Sequence, residues 1–81
     1  MEDVIAHARS YMKAQLDSIL IGTFDGTPNE KFKLAVEKKE NELLSDPGRH
    51  FEGYNELSDQ QKTFFRKEIG RFVEMYLLAN S

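Results

Sequence analysis

The chain has 81 residues, no cysteine, 11 basic against 14 acidic side chains, and a net charge of −3. That length supports one domain, residues 1–81. The missing cysteines exclude a disulfide scaffold and thiol chemistry, and the acidic balance opposes a polyanion partner, whose affinity comes largely from neutralised phosphates. No apolar run approaches the ~20 residues that span a bilayer. Glu2 and Asp3 stand where a secretory leader would be basic. A soluble, cytoplasmic chain is therefore expected.

Residues 3–21 read as a first helix. Ile5, Ala8, Met12, Leu16, Ile19 and Leu20 share one side. Asp3 serves as an N-cap or adds favourable charge to the first turn, and Gly22 follows as a C′ glycine. A rival reading makes residues 18–34 a hairpin turning at Asp25-Gly26. Pro28 at the head of the return strand argues against it. Thr27-Pro28-Asn29-Glu30 instead forms a capping box with proline at the first helical position, and Phe24 tucks against the core from the loop.

The second helix is expected over 28–44, with Phe32, Ala35, Val36 and Leu43 inward. Lys39 interrupts that stripe, its stem covering apolar surface while the ammonium reaches water. Leu34 points outward. Ser45-Asp46-Pro47-Gly48 ends the helix. The connection to Leu57 is long for a bundle and carries Phe51, Tyr54 and Leu57 at three-residue spacing. One helical turn around 48–54 would plug an end of the bundle. It is either a hydrophobic lid or a binding loop presenting Phe51 and Tyr54.

The third long helix, 58–79, organises the rest. Ser58 with Gln61 is a capping box, and Asp59 suits the helix dipole. Phe65, Ile69, Phe72, Val73, Tyr76 and Ala79 form the core stripe. Gly70 is either tolerated or a point of close backbone approach. Phe64, Met75 and Leu78 form a second stripe with Glu68 and Arg71 between them. Two companion helices hide only one broad face, so that stripe is either buried by a central helix or offered to a partner.

Chemistry is sparse. His7 and His50 each lie four residues from an aspartate, Asp3 and Asp46, but lack the dense spacing of a metal motif. No nucleophile elbow or phosphate loop is present. No enzyme activity, cofactor or metal is expected. Lys62, Arg66, Lys67 and Arg71 are the best case for nucleic acid, yet Glu68 and Glu74 lie among them. A helix-turn-helix would also want a shorter turn.

The expected fold is thus an all-α three-helix bundle. The expected role is a protein-interaction module binding itself, as a homo-oligomer, or a larger protein through Phe64, Arg71, Met75 and Leu78, with Phe51 and Tyr54 beside them. Short, acidic, cysteine-free chains of this style occur among bacterial and phage accessory proteins.

Overall fold

The computed structural model describes residues 2–23 and 30–80. They form a small all-α bundle: α1 Glu2–Thr23, α2 Glu30–Ser45, a single turn α3 Pro47–His50, a 3₁₀ turn Tyr54–Glu56, and α4 Asp59–Ala79. No strand occurs among the described residues.

The hairpin reading is thereby excluded on both of its arms, since residues 18–23 and 30–34 are helical. Phe24, the Asp25-Gly26 turn and the Thr27-Pro28-Asn29 cap lie outside the described residues. Gly22 does not act as C′. The helix runs through it to Thr23, and a Cβ there would meet open space.

Two sets of contacts give the topology. Arg9 pairs with Glu68, and Asp17 accepts from Tyr76, at the same separation of 59 residues. A constant offset along both helices means that α1 and α4 run parallel. Between α2 and α4 the order reverses: Phe32 stacks near Tyr76, while Arg66 donates to the Leu44 carbonyl at 3.0 Å. Those helices are antiparallel. The bundle is up, down, up, with extents of 41 × 20 × 17 Å.

Each long helix contributes its expected stripe. Ile5, Ala8, Met12 and Leu16 are buried from α1, Phe32, Val36 and Leu43 from α2, and Phe65, Ile69 and Val73 from α4. Ile19, Leu20, Phe72 and Tyr76 pack at the margin, as does Leu77, which the stripe pattern did not include. Ala79 is exposed instead of extending the core. Lys39 keeps a third of its side chain in solvent and sets Nζ 3.6 Å from Glu42, so its stem covers the gap in the α2 stripe.

The connection from α2 to α4 joins antiparallel neighbours at one end of the bundle, so it has length to spare. It spends that length as a plug. Pro47 is buried at the start of α3. Gly53 then takes φ 84° and opens the 3₁₀ turn. The single turn expected over 48–54 is thus two short turns on either side of a left-handed glycine. Phe51 and Tyr54 point inward and meet Phe65 edge-on, with ring centroids 5.2 and 5.1 Å apart. Tyr11 closes on Phe51 at 5.6 Å from the other side.

α4 begins as its sequence indicates. Ser58 Oγ accepts from the Gln61 N–H at 3.2 Å, and Gln61 Oε1 accepts from the Ser58 N–H at 2.9 Å. Two otherwise orphaned donors are satisfied reciprocally.

Candidate interaction surface

The outer face of α4 carries the candidate site. Phe64, Met75 and Leu78 are 48%, 62% and 69% exposed. Glu68 and Arg71 complete a row that rises along the helix in steps of four and three residues. At about 100° per residue this row stays nearly straight. It lies roughly a third of a turn from the Phe65, Ile69 and Val73 side that enters the core. The core closes without it: Phe65 and Ile69 are fully buried, and among the described residues no buried side-chain polar atom lacks a partner.

The row is apolar at both ends and charged in the middle. The Glu68 side chain, 18% exposed, accepts from Arg9 Nη2 at 2.8 Å. Arg71 and Lys67 are exposed and form no ion pair among the described residues. Glu74 is exposed on the same flank as Lys67.

Phe51 and Tyr54 do not belong to this surface. They are 3% and 6% exposed and form the floor beneath Phe65. Of the two roles open to the connecting loop, their burial fits the lid. Aromatic residues in an irregular loop carry no periodicity to say which way they face, so spacing alone did not separate the roles.

The four basic residues proposed for nucleic acid divide in the same way. Lys62 lies over the Tyr54 ring, 5.4 Å from its centroid. Arg66 caps the last turn of α2 through the Leu44 carbonyl, a turn with no basic residue of its own. Lys67 and Arg71 are exposed and form no ion pair among the described residues, with Glu74 beside them.

A shallow groove of about 190 Å³ opens between α1 and the connecting loop, lined by His7, Ala8, Tyr11, His50, Phe51 and Glu52. It brings together the two histidines that the sequence set against Asp3 and Asp46. Among the described residues no group of three or more His, Cys, Asp or Glu side chains is placed to hold a metal ion.

One further polar contact ties the helices. Tyr76 Oη donates to Asp17 Oδ1 at 2.5 Å, and Lys13 Nζ donates to Asp17 Oδ2 at 2.7 Å. The bond from Lys13, and next that from Tyr76, hold the Asp17 carboxyl below its ordinary range. Burial, then the neighbouring carboxylate, push the Tyr76 phenol up. The contact is structural: a carboxylate kept charged and a phenol kept neutral neither give nor take a proton near neutrality.

The chain matches no protein-family model, no curated protein and no solved structure. No helix among the described residues is long and apolar enough to cross a membrane.

Proposed function

We propose that this chain is a small cytoplasmic protein-interaction module that docks a protein partner through the outer face of α4, in an accessory or regulatory capacity. The observation that carries the reading is the exposure of Phe64 and Met75 on one face of a helix whose other face completes the core. Large apolar side chains aligned on one surface, with charges set among them, are the usual composition of a docking site. A nucleic-acid role has less support, because Lys62 and Arg66 are engaged within the fold and the chain is acidic overall.

The test is a double variant, Phe64→Glu with Met75→Glu. Neither side chain is in the core, so circular dichroism and Tm should stay near those of the parent. Association, measured by sedimentation and by capture of purified or host proteins, should be lost. A variant that sediments and captures identically to the parent overturns the reading. Retention of a labelled duplex at low salt, lost on adding salt, would favour nucleic acid instead.

A further inference from the structure

We infer that the occupant of this surface is a second copy of the chain, its α4 lying antiparallel against the first. The inference rests on the docking reading above and adds the partner and the register. The row Phe64, Glu68, Arg71, Met75, Leu78 has the four-three spacing of a two-helix seam. Lys67 and Glu74 sit on one flank of it, a heptad apart. The opposite flank, Phe65 and Phe72, is turned into the chain's own core.

Orientation follows from charge. In a parallel pair each seam residue meets its own copy, so Glu68 would face Glu68 and Arg71 would face Arg71. Two of five layers would carry like charges. In an antiparallel pair, set Phe64 opposite Met75 of the second copy. The same register sets Glu68 opposite Arg71, and on the flank brings Lys67 within two residues, about 3 Å along the axis, of Glu74. Two-fold symmetry makes each match occur twice. Leu78 lands on the stem of Gln61. The Glu68 carboxylate, already held by Arg9, gains a second guanidinium from Arg71, which forms no ion pair in its own chain among the described residues.

Length agrees. The axis of that register falls between Ile69 and Gly70, at the middle of α4, Asp59–Ala79. The two helices therefore overlap along nearly their whole length of about 31 Å. The Glu68–Arg71 match fixes that axis, and the ends of α4 lie evenly about it. One helix from each copy makes an interface at or below the small end of about 1,200 Å², so the dimer is a micromolar one whose affinity falls with salt.

Charge reversal tests this without touching the core. Sedimentation of the full chain should show a dimer at hundreds of micromolar. Lys67→Glu alone and Glu74→Lys alone should each weaken it roughly tenfold or more. The double variant K67E/E74K should restore it, and mixing the two single variants should yield a heterodimer. For orientation, Met75→Cys alone should not cross-link to itself, since an antiparallel pair sets the two sites about 16 Å apart. Mixed with Phe64→Cys it should cross-link readily.

Self-cross-linking of Met75→Cys, or a dimer indifferent to Lys67→Glu, overturns the antiparallel register. If Phe64→Glu with Met75→Glu still abolishes that dimer, the face survives as a docking surface. A parent chain that stays monomeric overturns self-pairing, and the docking reading then stands or falls on its own capture comparison. A dimer untouched by Phe64→Glu with Met75→Glu overturns both.

Discussion

Gly53 is the one residue with a positive φ among the described residues. Its φ of 84° lies where a side chain is strained, and a Cβ there would come 2.9 Å from Val4 Cγ2. Gly53→Ala should therefore cost more than about 1 kcal/mol, read as a lower midpoint in urea. Phe65 is the other sensitive position. It is fully buried and supports both Phe51 and Tyr54. Phe65→Ala should cost about 3–5 kcal/mol, enough to threaten folding of so small a domain. The two residues differ in legibility. Phe65 announces itself by its spacing from Ile69 and Val73. Gly53 does not, because a glycine in a polar loop looks the same whether or not its φ is forced.

At the scale of the helix, α4 was almost fully legible, from its Ser58–Gln61 cap to its two apolar rows. Periodicity states which residues share a face, but not whether a second apolar row is covered by a neighbouring helix or left in solvent; the exposure of Phe64, Met75 and Leu78 decides that. The end of α1 was less legible. Gly22 looked like a terminator, but a glycine costs a helix only about 1 kcal/mol, and neighbouring turns carry it. Gly70 settles toward the bland reading within one chain, since a Cβ there meets nothing within 4 Å. Gly70→Ala should stabilise α4 by about 1 kcal/mol, visible as a higher Tm.

Across the whole molecule, the relation of the helices was invisible in the sequence. Each helix advertises a face, but parallel and antiparallel neighbours use the same face. The Asp17–Tyr76 bond depends on that relation, so the pattern of α1 alone gives no sign of it. It also makes stability respond to acid. Because the folded value of Asp17 lies below its ordinary 3.8, its contribution is complete above that pH and disappears as pH falls through the lower, folded value. Tyr76→Phe removes one of the two hydrogen bonds that hold the carboxylate charged. The variant should melt lower at pH 7, and its deficit should shrink below about pH 4. The Asp17 side chain is 40% exposed, so solvent keeps the change small. Thermal melts of parent and variant across pH 2–7 would show it.

The parallel arrangement of the first and last helices sets a timetable for biogenesis. Arg9 and Asp17 leave the ribosome long before Glu68 and Tyr76, their partners 59 positions downstream. The leading pair of helices alone lacks Phe65, Ile69 and Val73, the whole inward row of the last one. A nascent chain thus carries its greasy faces uncovered until α4 has emerged, and consolidation becomes a single event that waits for that helix.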